Sequence, residues 1–260
     1  MVQGSLICFE GLDGSGKTTT ARSVANMLAA RGVSAVLVER KDPDCGNDEL
    51  TRRMRLLKTL IWEYGDVPIC EFGDYHALYN MASWFSAIDK CKIQPLLATG
   101  VHVVVDNWFY KFLARFTLKT TIDAGHLRAC FDHLTRPDLV IHLDITPEGA
   151  AARKREFGKG ETGFFDGLGE PGLDSFIRYQ DRVRHVLNKF ARAEGWFSIA
   201  VDGRNPGEVA SMVIDAIGSR ISLDVAYPDL DTSSDPARGD DVEPGLELGH
   251  HGDSPAAART

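Results

Sequence analysis

Near its N-terminus the chain reads Gly11-Leu12-Asp13-Gly14-Ser15-Gly16-Lys17-Thr18-Thr19, whose first eight residues fit the pattern GxxxxGK[ST]. Glycines let successive backbone N–H groups turn inward around phosphate oxygens, and a helix starting directly afterwards adds partial positive charge. In such a loop Lys17 reaches the β- and γ-phosphates of a nucleoside triphosphate, and the Thr18 hydroxyl helps to hold Mg²⁺. Gly11, Asp13, Gly14, Ser15, Gly16, Lys17, Thr18 and Thr19 are therefore the candidate ATP-binding residues. The competing reading, a glycine turn that merely contains Lys-Thr, is answered by context: an apolar run precedes the loop and a helical pattern comes after it. The loop alone does not separate kinases from GTPases or motor ATPases.

Positioning such a loop takes a sheet. Short runs rich in Val and Ile recur as LICFE, SAVLVE, HVVVD, LVIHLDI and FSIAVD, and between them lie segments with helical spacing such as TTARSVANMLAARG and DSFIRYQDRVRHVLNKFARAEG. Apolar runs separated by helices predict a parallel sheet covered on both faces, the doubly wound α/β pattern. Asp106, closing HVVVD, falls at the C-terminal end of a strand, where such sheets bind ligands, and suits either a Mg²⁺-orienting role or a place near the acceptor.

Composition bounds the rest. With 260 residues and 43% hydrophobic content, the chain can form one sizeable α/β domain plus a tail. We expect a domain over 1–225 and an acidic Pro/Gly-rich tail over 226–260, too poor in apolar residues to order itself. Residues 224–260 hold nine acidic residues against two arginines, a net of −7 out of the chain's −8, so a broad basic face for nucleic acid is disfavoured. His250 and His251 in that tail read as solvated surface. Five scattered cysteines without CxxC spacing read as reduced thiols, with no disulfide or structural metal. No apolar window of membrane-spanning length and no secretory signal is present, which predicts a cytoplasmic protein without membrane contact.

FEGLDGSGKTTT, PDLVIHLDITPEGAAARK, a helix ending LNKFA and the closing VDGRNPGEVASMVIDAI together resemble the thymidylate kinase family over about residues 4–220. The resemblance implies a P-loop kinase with a five-stranded parallel sheet and a short mobile lid over ATP, acting with Mg²⁺ as a homodimer. The family's reaction is dTMP plus ATP giving dTDP plus ADP. It matches Asp13 to a carboxylate facing the acceptor's ribose, and Arg153 to the arginine at the base of the lid. The P-loop has no arginine of its own, so Arg153, Lys154, Arg155 and Lys159 are the candidates for neutralising the transferring phosphoryl group. A solvated helix end is the plain alternative for that cluster, and glycines at 158, 160, 163, 167 and 169 fit a segment that moves.

On the acceptor side the resemblance breaks. Where the family has Asp-Arg-Tyr this chain has Asp106-Asn107-Trp108, and counting back from Pro95 puts Phe85 where the family has a second arginine. Neither Asn nor Phe offers a charged fork to a phosphate. Two rescues are open. Lys111, Arg115 and Lys119 would form one basic stripe on a helix, either reaching the acceptor or lying in solvent. Alternatively the acceptor carries no phosphate, and Asp42 of Lys41-Asp42-Pro43 acts as base toward a hydroxyl, as a carboxylate before proline does in the related deoxynucleoside kinases; an Asp-Pro turn explains the same residues. Among Trp84, Phe85, Trp108, Phe109 and Phe112, Trp108 is the first candidate for stacking on a base. A kinase for an unphosphorylated nucleoside and a non-catalytic NTP-binding module are the competing functions.

Overall fold

The computed structural model describes residues 3–63 and 69–222; the tail expected at 226–260 lies outside them. Five strands, Leu6–Gly11 (β1), Ala35–Val38 (β2), His102–Val105 (β3), Leu139–Asp144 (β4) and Phe197–Ala200 (β5), coincide with the five apolar runs. They pair in parallel in the order β2-β3-β1-β4-β5. Ile7 of β1 lies in register with Val104 on one side and Leu139 on the other. Every residue of β1 and β3 is buried, whereas the edge strands β2 and β5 bury fewer of theirs. That difference is why the central runs are apolar throughout.

The α-helices among the described residues are Lys17–Ala30 (α1), Asp48–Trp62 (α2), Asp74–Ile88 (α3), Gln94–Ala98 (α4), Tyr110–Thr117 (α5), Ala124–Ala129 (α6), Pro147–Ala152 (α7), Leu173–Glu194 (α8) and Pro206–Arg220 (α9). Their starts are set by local chemistry. Asn47 caps α2 by accepting from the N–H groups of Glu49 and Leu50, and Thr146 caps α7 with Pro147 in its first turn. Asn205 and Glu208 close a capping box on α9. Between α7 and α8 the lid contains two short 3₁₀ turns, Lys159–Glu161 and Phe164–Asp166.

The chain leaves β1 in the middle of the sheet, with β3 on one side and β4 on the other. A crevice therefore opens beyond the C-terminal ends of these strands. Gly14, at φ 89°, lets the loop after β1 lie against α7: a Cβ there would stand 2.7 Å from the Ala150 carbonyl oxygen. Among the described residues no helix is long and apolar enough to cross a membrane.

Candidate active site

Gly16, left-handed at φ 93°, turns the loop into α1 and makes Lys17 the first helical residue. The buried Lys17 ammonium donates to the carbonyl oxygens of Gly11 at 3.0 Å and Leu12 at 2.6 Å, so it is curled into the loop. Burial lowers its pKa, and Asp13 and Glu10 oppose the shift. One residue on, Thr18 Oγ1 donates to Asp106 Oδ2 at 2.7 Å, while Asp106 Oδ1 accepts from the Arg40 backbone N–H at 3.0 Å. The two residues read from the sequence as metal ligands thus meet. Their donors are a hydroxyl and a carboxylate, the hard oxygens Mg²⁺ takes, and an ion here would complete its shell with phosphate and water oxygens.

These groups line a cleft of about 510 Å³ running along the P-loop. Its lining includes Arg153, Val201, Arg204 and Pro206 as well as Arg40, Asn107 and Lys111. Arg153 comes directly after α7, and its guanidinium donates to the Val201 carbonyl at 2.6 Å and the Ser15 carbonyl at 3.4 Å. Lys154 also lines the cleft, paired with Glu161 of the lid at 3.0 Å. Arg155 is exposed and is not among the lining residues, and the Lys159 ammonium lies 5.2 Å from the centre of the Phe164 ring.

The stripe on α5 faces inward. Lys111 is buried and donates to Asp13 Oδ1 at 2.7 Å, and Arg115 donates to Asp13 Oδ2 at 2.5 Å. Burial alone would raise the Asp13 pKa, but the charges of Lys111 and Arg115 hold it well below the usual carboxylate range. Lys119, the third member, turns instead to Asp74 of α3 at 2.8 Å and Asp166 of the lid at 2.5 Å. The reading of this stripe as a solvated face is therefore corrected: Asp13, Asp74 and Asp166 draw all three cations inward.

Three other expectations are also corrected. Phe85 is 1% exposed and packs against Trp108, Phe112 and Phe131 in the core, and it lines no part of the cleft. Trp108 is equally buried, held by its indole N–H to the Thr135 carbonyl at 3.1 Å and packed edge-on against Phe85, with ring centres 5.2 Å apart. Asp42, read as a base, is an exposed turn residue. Its carboxylate accepts from the Asp44 N–H at 3.1 Å and pairs with Lys92 at 2.6 Å, and it does not line the cleft.

Sequence reading missed two residues. Arg40 directly precedes Lys41-Asp42-Pro43, and its own side chain enters the cleft. Its guanidinium lies 5.4 Å from the Phe112 ring centre and makes no hydrogen bond among the described residues. Glu10, fully buried at the end of β1, accepts from the Trp108 backbone N–H at 3.0 Å and from Asn107 Nδ2 at 3.4 Å. Burial pushes its pKa up to about 7 against the pull of Lys17 and Lys111. A lone carboxylate in the otherwise apolar run LICFE was the available signal. Asn107, 2% exposed, lines the cleft, and its Oδ1 has no partner among the described residues.

Comparison with known proteins agrees with this architecture. The family model described as thymidylate kinase matches residues 9–211. Among curated relatives, a thymidylate kinase of Dinoroseobacter shibae is 31% identical over 219 residues, covering 81% of this chain and 95% of the relative. A probable thymidylate kinase 2 of Saccharolobus solfataricus is 27% identical over 212 residues, covering 79% and 91%. The solved structure of a thymidylate kinase from Candida albicans shares the fold, with a TM-score of 0.59 at 18% identity over 84% of this chain and 92% of that one.

Proposed function

The chain belongs to the thymidylate kinase family, and from that premise we propose that it transfers the γ-phosphoryl group of ATP to dTMP, giving dTDP and ADP. The observation that carries the phosphorylated acceptor is the Arg40 guanidinium: half-buried, lining the cleft, and without a hydrogen-bond partner among the described residues. An arginine so placed calls for an anion that can accept its planar fork of N–H donors through two oxygens, such as phosphate. The hydroxyl-acceptor reading loses its base, since Asp42 pairs with Lys92 away from the cleft.

In this reading the loop from Gly11 to Thr19 cradles the phosphates of ATP, and Lys17 leaves its loop carbonyls to neutralise the β and γ oxygens. Thr18 and Asp106 would hold Mg²⁺, which would supply charge neutralisation on the phosphoryl oxygens. Arg153 and Lys154 bring lid-side charge to the transferring group, and Asp106 keeps Arg40 aligned through its backbone N–H. A phosphate acceptor arrives anionic, so no general base is needed. Beyond Arg115 an apolar recess of about 100 Å³, lined by Met81, Phe112, Phe165 and Tyr179, is the place for the acceptor's base. The homodimer implied by the family would bury the exposed Leu56 and Leu60 of α2 with Tyr75 and Tyr79 of α3.

A labelled-ATP screen of dTMP, other nucleoside monophosphates and the unphosphorylated nucleosides tests the proposal. Labelled dTDP as the dominant product is expected; turnover of thymidine with none of dTMP would refute it.

A further inference from the structure

Just past the end of β3 the cleft is lined by the neutral Asn107. Four residues on, in the first turn of α5, stands Lys111. Resting on the phosphorylated-acceptor reading, we propose that Lys111 takes over the phosphate-holding task of the strand-end arginine that Asn107 replaces. Asp13 is the counter-ion that keeps its ammonium charged and aimed until the acceptor's phosphate arrives.

Lys111 is a poor choice for stability. Its side chain is 2% exposed, and it sits at the positive end of a helix whose first turn holds no acidic residue. Burial drives its pKa well down, and Asp13 opposes this. A buried ion pair of this kind is seldom a net gain over apolar packing.

Its geometry suits a ligand. The ammonium has three N–H donors; one goes to Asp13 Oδ1, and the other two have no hydrogen-bond partner among the described residues, the Phe112 ring centre lying 5.9 Å away. Lys111 lines the cleft together with Asn107, Arg40 and Lys17, which puts it among the cations and polar groups available to phosphate oxygens there. Asp13 can release it cheaply. The other Asp13 oxygen stays bound to Arg115 at 2.5 Å and Gln180 at 3.4 Å, and Oδ1 can share Lys111 with an incoming oxygen. The chain has moved the acceptor cation from a strand end to the next helix, with an internal carboxylate holding its place.

The test compares the dissociation constants of dTMP and thymidine for wild type, K111M and K111R without ATP. Wild type should prefer dTMP. K111M should shrink that preference by about tenfold to a hundredfold with thymidine affinity nearly unchanged, the worth of one charge-assisted contact, while K111R keeps most of it. Should K111M fail to fold by circular dichroism, K111Q makes the same comparison with the unbranched stem retained. An unaltered preference in the neutral variant, or parallel weakening of dTMP and thymidine, would overturn the proposal. A wild type that binds both ligands equally overturns the phosphorylated-acceptor reading instead, and the proposal with it.

Discussion

Thr18 Oγ1 donates to Asp106 Oδ2 across 2.7 Å, joining the second residue of α1 to the residue just past β3. A hydroxyl and a carboxylate held together this way leave lone pairs for a hard cation, and Asp106 Oδ1 is already taken by the Arg40 N–H. Asp106→Asn keeps an oxygen for that N–H but removes the charge. It should lower kcat by about 10²–10³-fold and raise the Mg²⁺ concentration needed for half-maximal rate. Unchanged Mg²⁺ dependence with a raised KM for the acceptor would assign Asp106 to the acceptor instead.

Arg40→Gln distinguishes a role toward the acceptor from one toward ATP. The guanidinium touches Phe112 and no hydrogen-bonding group of the described protein, so its removal strands no partner. Loss of its contact to an anion should cost about 1.5–3 kcal/mol in kcat/KM for the acceptor. KM for ATP should stay within about twofold by the same logic of independent sites. Equal losses for both substrates would mean that Arg40 organises the P-loop rather than the acceptor.

What the sequence disclosed and what it hid divide along one line. The P-loop and the sheet were legible because strand, loop and helix succeed one another within about twenty residues, and their spacing is itself the signal. The stripe Lys111, Arg115 and Lys119 was legible as a stripe. Its direction was not, because the Asp13 that turns Lys111 and Arg115 inward lies 98 and 102 residues away. Arg40 carried no local mark at all: it enters the cleft because its N–H is tied to Asp106 and its carbonyl accepts from the Trp84 indole at 3.0 Å. Phe85 and Trp108 show the converse. An aromatic residue in an apolar stretch fits a base-stacking wall and a core equally well, and only the packing of Phe131 and the carbonyl of Thr135 decides.

Asp42→Asn probes the reading that the structure disfavours. The Asp42 carboxylate is half exposed and pairs with Lys92, so the substitution should cost no more than about 1 kcal/mol of stability and leave kcat within about twofold. A general base would show itself as a fall in kcat of about 10²-fold or more, which would restore the hydroxyl-acceptor mechanism.

Glu10 and His142 predict opposite pH dependences of stability. Burial raises Glu10 from its ordinary 4.5 to about 7, so the folded protein holds its proton more tightly than the unfolded chain. The associated stability is complete below pH 4.5 and lost as pH rises through about 7, on the order of 3 kcal/mol in all. Burial lowers His142 from 6.5 to about 4, so its contribution is complete above pH 6.5 and lost as pH falls toward 4. The two slopes overlap and oppose each other between pH 4.5 and 6.5, where wild type should show a nearly flat melting temperature. Glu10→Gln removes one slope. It also offers an N–H to Asn107 Oδ1, which lacks a partner among the described residues, once that amide turns over. The variant should gain on wild type between about pH 4.5 and about pH 7 and hold that gain above it, whereas His142→Gln should gain as pH falls below about 6.5. Thermal melts across that range check both, and a Glu10→Gln difference that does not change with pH would show that Glu10 is ionised throughout.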